Sequence, residues 1–115
     1  MEMAELAGYN LGIEDATAKL HKMGCEDVLL RRGNKGVFFS GRSKSLVVLA
    51  FKVRVIDSTA AGDVFSGAFA CSLDRKLDLH DSLRYACAAA ALSVTRRGAQ
   101  KSVPRNEEIE SLLGE

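Results

Sequence analysis

The stretch Asp57-Ser58-Thr59-Ala60-Ala61-Gly62-Asp63 decides how this chain is read. Before it stand the β-favouring residues Val53, Val55 and Ile56; after it Val64, Phe65, Ala68, Phe69, Leu73 and Leu77 recur at helical spacing. A turn of small residues between a strand and a helix bares the first amides of the helix. Those amides, with the helix dipole, attract an anion and above all a phosphate. Asp63 stands where the helix begins, and an acid beside a phosphate suits a base that deprotonates a hydroxyl. The stretch therefore points to phosphoryl transfer to an alcohol. The competing reading is a small-residue turn that serves only tight packing.

Upstream, Ile13, Ala16, Leu20 and Met23 predict a helix over residues 13–23, ended by Gly24, with His21 exposed on it. Glu2 to Leu6 reads as the end of a helix stopped at Gly8. Val28-Leu29-Leu30 is a continuous apolar run, as expected of a strand covered on both faces. Arg31-Arg32-Gly33-Asn34-Lys35-Gly36 follows it, and Val37-Phe38-Phe39 forms a second strand. Glycines three apart after a strand let a backbone approach a ligand, although a plain hairpin turn explains them equally well. After a turn at 40–43, residues 46–51 and Val53 to Ile56 predict two more strands, which implies a partly antiparallel sheet edge.

Downstream, residues 61–76 read as a helix whose small residues Ser66, Gly67, Ala68 and Ala70 suit close packing against a sheet. Leu79 to Thr95 reads as a second helix, with Asp78 as N-cap and Asp81 adding charge in its first turn. The run Ala88–Ala91 is a good helix former, and Gly98 fits a left-handed cap after it. Pro104 introduces a last short helix over 106–113 with Asn106 as its expected N-cap.

The bulk properties suit one modest domain: 115 residues, 47% hydrophobic, 27% charged and a formal net charge of +1. That charge balance gives no reason to expect nucleic acid or an anionic membrane as a partner, and no apolar run is long enough to span a bilayer. The acidic start Met1-Glu2-Met3-Ala4-Glu5 lacks the pattern of a signal peptide. Cys25, Cys71 and Cys87 are odd in number and widely spaced, which fits neither a disulfide framework nor a zinc site and suggests the cytoplasm; Cys71, in an apolar helical run, reads as a buried thiol.

Three segments in order carry a resemblance to a known family: Asp57 to Ala68, the alanine run Ala86 to Gly98 with Ala99-Gln100 and Ser102-Val103-Pro104 behind it, and Val28 to Gly36. The chain resembles the C-terminal part of the ribokinase-like, or PfkB-type, carbohydrate kinases, and its tail is similar to that of the ribokinases among them. The resemblance implies an α/β fold: the C-terminal part of a three-layer αβα sandwich, with short edge strands followed by helices. Residues 1–115 would be a single partial domain, without the N-terminal sugar-binding half and its β lid.

The implied activity is ATP-dependent phosphorylation of a sugar hydroxyl, ribose first among the acceptors. Asp63 would be the base, and the amides of Ala60, Ala61 and Gly62 the anion hole. Arg31, Arg32, Gly33, Asn34, Lys35 and Gly36 would flank ATP, with Gly62 at its phosphates and Cys87 bordering the adenine pocket. Asp57, Thr59, Ser93, Arg96, Gly98 and Ser102 match positions that hold a monovalent cation, K+, and Glu2 matches a glutamate that organises Mg2+. Ala60 stands where many relatives have glycine, Arg31 where threonine is common and Cys87 where histidine or asparagine is usual. Partners would be sugar and ATP, with a homo-oligomer or association with the missing half. The alternative is a truncated nucleotide-binding or structural module with no kinase activity of its own.

Overall fold

The computed structural model describes residues 12–41, 44–97 and 104–114. The expected helix end at Glu2–Leu6, the turn residues Arg42 and Ser43, and the tail at Gly98–Val103 lie outside them. The chain divides into two compact units, Met1–Leu49 and Ala50–Glu115.

In the first unit, α1 (Ile13–Lys22) precedes an antiparallel sheet of β1 (Val28–Arg31), β2 (Val37–Ser40) and β3 (Ser45–Val48), in that spatial order. The register pairs Leu29 with Phe39, and Phe38 with Val47. Side chains alternate across a strand. Ala16 of α1, Val28 and Leu30 therefore form one cluster, flanked by Leu20, Cys25 and Phe38. Leu29, Val37, Phe39 and Val48, at the other parity, are also buried, as the unbroken apolar run of β1 requires.

His21 is not the exposed helix histidine expected from its polar neighbours. It is half-buried; its Nδ1–H donates to the Cys25 carbonyl (2.8 Å) and its Nε2 lies 3.0 Å from the Ser40 hydroxyl. The first contact fixes the tautomer, because a carbonyl only accepts. The ring thus ties the end of α1 to the end of β2.

The second unit opens with Ala50–Ser58, which forms no strand ladder. The strand expected at Val53–Ile56 is absent among the described residues, although the β-branched residues are there. A strand needs a neighbour to take its amides and carbonyls. The amides of Ile56 and Asp57 bond instead to a helix end, and Val55 stays 60% exposed.

Three helices follow: α2 (Ala61–Asp74), α3 (Leu79–Val94) and α4 (Asn106–Leu113). Val64, Phe65, Phe69 and Ser72 form the buried stripe of α2. α3 is buried on most of its circumference, from Ser82 and Leu83 through Tyr85–Ala89 to Ala91 and Ser93. Its alanines allow that, since small side chains let neighbouring backbones approach. Ala60, Val64, Tyr85, Ala88, Ala89 and Ile109 make one core cluster, with Phe51 packed on it under the Arg84 guanidinium. The buried hydroxyls of Ser72 and Ser93 donate back to the Phe69 and Ala90 carbonyls.

Two expectations about α2 change. Ser66, Gly67 and Ala70 are exposed, and a side chain built at Gly67 would touch nothing within 4 Å, so no described residue packs on this small-residue face. Cys71 lies on the exposed side too, because the apolar run around it is wider than the stripe the core takes up. Among the described residues no helix is long and apolar enough to cross a membrane.

Asp78 caps α3 as expected, its carboxylate accepting from the Asp81 amide at 2.8 Å. Asn106 is not the cap of α4 but its first helical residue, preceded by Arg105. Its Oδ1 accepts from the Tyr85 hydroxyl (2.7 Å) and from Arg75 (3.0 Å), contacts that a local sequence pattern does not reveal. Burial pushes the Tyr85 phenol above its ordinary pKa.

α2 ends in a paired turn: the Lys76 amide donates to Leu73 and the Leu77 amide to Ser72. Lys76 holds the left-handed position, at φ +63. A side chain there is strained, and glycine relieves the strain. Lys76→Gly is expected to stabilise the chain by about 0.5–1 kcal/mol, read as a rise of a few degrees in Tm. An unchanged or lower Tm would contradict the assignment.

Candidate functional site

The turn before α2 is built on backbone bonds. The amides of Ile56 (2.6 Å) and Asp57 (3.0 Å) both donate to the Val94 carbonyl at the end of α3. Asp57 Oδ1 then accepts from the Thr59 amide at 2.9 Å and from the Thr59 hydroxyl, which folds the chain back on itself. Ala60 is the N-cap and carries no side-chain cap, so Ala61, Gly62 and Asp63 form the open first turn of α2. The Ala61 amide donates to the Ser58 carbonyl at 3.2 Å. The amides of Ala60, Gly62 and Asp63 make no other backbone bond among the described residues. A helix start with bare amides and no cap side chain is a site for an anion. Asp63 is exposed beside it.

The residues expected around a monovalent cation fall in two groups. The Val94 carbonyl brings the Asp57 backbone against the end of α3, next to Ser93 and Arg96. Gly98 and Ser102 lie outside the described residues. The donors at this junction are oxygens: the Asp57 carboxylate, the Thr59 hydroxyl and the carbonyls at the end of α3, each of which has a second lone pair or a neighbour that does. Such a set fits a hard cation such as K+. The Ser93 hydroxyl is 1% exposed and bonded to Ala90, which leaves its carbonyl as the available oxygen. The Arg96 side chain pairs with Glu108 of α4, so Arg96 too would offer only a carbonyl. Glu2 lies outside the described residues, and among the others no group of three or more His, Cys, Asp or Glu could hold a metal.

Arg31 to Gly36 belong to the first unit. Gly33–Lys35 form a single 3-10 turn that closes the β1–β2 hairpin, with the Arg32 amide donating to the Gly36 carbonyl at 2.8 Å. Gly33 (φ +58) and Gly36 (φ +94) both hold conformations that favour glycine, so the hairpin itself requires them. Arg32 and Lys35 are exposed and Arg31 is half-buried. Cys87 is buried in α3, and burial pushes its thiol up to about 11.

Sequence patterns did not single out Val94, Ser58 or Glu108. The first two act through backbone carbonyls, which no side-chain pattern advertises. The third pairs with Arg96 across twelve residues, a contact that helical spacing does not show.

Both the element order and the bare helix start define a ribokinase-like α/β fold, and known proteins bear this out. Residues 1–106 match the pfkB family carbohydrate kinases. The ribokinase of Haemophilus influenzae is 40% identical over 112 residues, which cover 94% of this chain and 37% of that protein. Arabidopsis thaliana ribokinase, solved with ribose and ATP, superposes with a TM-score of 0.84 at 34% identity, over 92% of this chain and 35% of that one. An Escherichia coli chain assigned as ribokinase II, solved with ATP and Mg2+, gives a TM-score of 0.85 at 32% identity, over 97% of this chain and 38% of that one. The chain belongs to the pfkB family of carbohydrate kinases. It spans little more than a third of the length of these relatives.

The three thiols should differ in reactivity as their surroundings do. At pH 8 an aromatic disulfide reagent is expected to modify Cys71 within minutes and Cys87 only on unfolding, because a buried thiol is neither ionised nor reached. Rapid modification of Cys87 in the folded chain would contradict its burial.

Proposed function

We propose that the chain is the C-terminal catalytic segment, residues 1–115, of an ATP-dependent sugar kinase. The acceptor is a sugar hydroxyl, with ribose the first choice. The observation that carries the reading is the uncapped start of α2, held by Val94 and carrying Asp63 beside bare amides. The ribose and ATP found in the Arabidopsis relative support the substrates, and the ATP and Mg2+ in the Escherichia coli relative support the nucleotide and its metal.

In this reading Asp63 takes the proton of the sugar hydroxyl as that oxygen attacks the γ-phosphorus. The Ala60 and Gly62 amides donate to the phosphoryl oxygens, where charge builds up as the bond to ADP breaks, and Ala61 joins them by giving up Ser58. Such donors stabilise the transition state without reorganising. Arg31, Arg32 and Lys35 supply positive charge for the nucleotide, Gly33, Asn34 and Gly36 its close backbone, and the segment around Cys87 borders the adenine. K+ at the Asp57–Arg96 junction would supply a fixed positive charge that orders the turn, and Mg2+ would offset charge between the β- and γ-phosphates. Glu2 is the residue proposed to organise Mg2+, and Gly98 and Ser102 complete the K+ set. Catalysis of this kind depends on holding the acceptor in line. The part of the relatives that this chain does not span is assigned that task, and the exposed Val55 and the segment around it, which joins no sheet among the described residues, are proposed to meet it. The charge balance and cysteine usage fit a cytoplasmic enzyme, without nucleic acid or membrane as partner.

The test is a chimaera in which this chain replaces the matching part of the Haemophilus influenzae ribokinase. Ribose-dependent ADP release is expected, and Asp63→Asn should lower its kcat by roughly a hundred- to ten-thousand-fold. Full activity in Asp63→Asn would overturn the assignment of the base. The 115-residue chain alone is expected to bind ATP weakly and to consume little of it with ribose. Turnover by the chain alone that is lost in Asp63→Asn would contradict the division of labour.

A further inference from the structure

Two polar anchors hold the first turn of α4. At one, Asn106 accepts from Tyr85 and Arg75. At the other, Glu108 uses both carboxylate oxygens: Oε1 accepts from the Arg105 amide at 3.0 Å and Oε2 from the Arg96 guanidinium. The anchors differ in what stands behind them. Behind Asn106 are the end of α2 and the middle of α3. Behind Arg96 is the end of α3, and two residues back the Val94 carbonyl holds the Ile56 and Asp57 amides. The Asp57 carboxylate in turn holds Thr59, which leads into Ala60 and the bare amides.

We propose that Glu108 is a positioning residue for the Asp57–Asp63 turn, acting through Arg96 on the end of α3. Helix ends fray, and the last residues here are held by turn bonds: the Thr95 amide (3.2 Å) and hydroxyl (2.6 Å) donate to Leu92, and the Arg96 amide to Ser93 at 3.3 Å. A guanidinium pinned to a carboxylate limits that fraying. The carboxylate is itself oriented by the Arg105 amide, so little freedom is left to lose when the pair forms. Both side chains are half-buried, which screens the pair less than an open surface pair. Because one carbonyl accepts two amides, any shift of Val94 moves Ile56 and Asp57 together. α4 touches no reacting group in this account, yet it sets where the phosphate amides stand. The proposal rests on the reading of that turn as a phosphate site.

The test compares Glu108→Ala, Glu108→Gln and Asn106→Ala in the 115-residue chain, by amide hydrogen exchange and by ATP calorimetry. Glu108→Ala is expected to speed exchange at Ile56 and Asp57 by about 10-fold and to weaken ATP by about 5-fold. Glu108→Gln, whose single carbonyl oxygen can accept from only one of the two donors, should fall between Glu108→Ala and the parent in both measurements. Asn106→Ala lowers global stability through the other anchor and should leave the Ile56 and Asp57 exchange relative to the remaining amides unchanged. Parent-like exchange in Glu108→Ala, or an equal effect of Asn106→Ala, would overturn the proposal. ATP should also slow exchange at Gly62 in the parent chain. Without that protection the phosphate reading fails and the positioning role falls with it, even where the exchange link between Glu108 and Asp57 is seen.

Discussion

A single carbonyl carries much of this unit. Val94, the last residue of α3, accepts from the amides of both Ile56 and Asp57. The extended segment before the turn has no strand partner among the described residues, so these two bonds take the place of a ladder. They stop the segment at Asp57, where the carboxylate turns the chain and delivers Ala60 to the start of α2. The uncapped helix start follows from that delivery: the position where a serine or aspartate would satisfy the first amides is an alanine, and the amides stay open. Sites that bind a transient charge need donors that are fixed yet unsatisfied. Here the fixing is done from behind, by a neighbouring helix.

That neighbour has to be rigid to serve. α3 is buried around most of its surface, and its alanines allow close contact with α2 and α4. Leu83, fully buried in it, is the kind of side chain whose truncation costs about 2–5 kcal/mol. Polar anchors complete the frame: Asp78 at the start of α3, Tyr85 with Asn106 at its middle and Arg96 with Glu108 at its end. By contrast the outer face of α2, with Ser66, Gly67 and Ala70, has nothing packed on it among the described residues.

How far the sequence could be read depended on what kind of contact was involved. Helices α1 to α4 were legible within a residue or two because their apolar spacing is also their burial pattern. β1 and β2 were legible because an unbroken run such as Val28–Leu30 has few other uses. Val53–Ile56 misled: β-branched residues show a preference for extended backbone, but pairing is a property of the neighbour. Cys71 and Gly67 misled for a related reason, since small and apolar residues in a helix reveal that a surface can be covered and not what covers it. Asn106 and His21 were taken for local or solvated groups, yet each is bonded to residues far along the chain. The motif Asp57–Asp63 was visible as chemistry, whereas the Val94 carbonyl that fixes it was not, because backbone bonds leave no trace in residue type.

The central claim is that the start of α2 receives the transferring phosphate. Its most direct test is a 15N NMR titration of the chain with ATP, ADP and adenosine in turn. The account predicts that ATP moves the amide resonances of Ala60, Gly62 and Asp63, that ADP moves them less and that adenosine leaves them in place. Nucleotide-dependent shifts elsewhere in the chain, with those three amides unmoved by ATP, would contradict it.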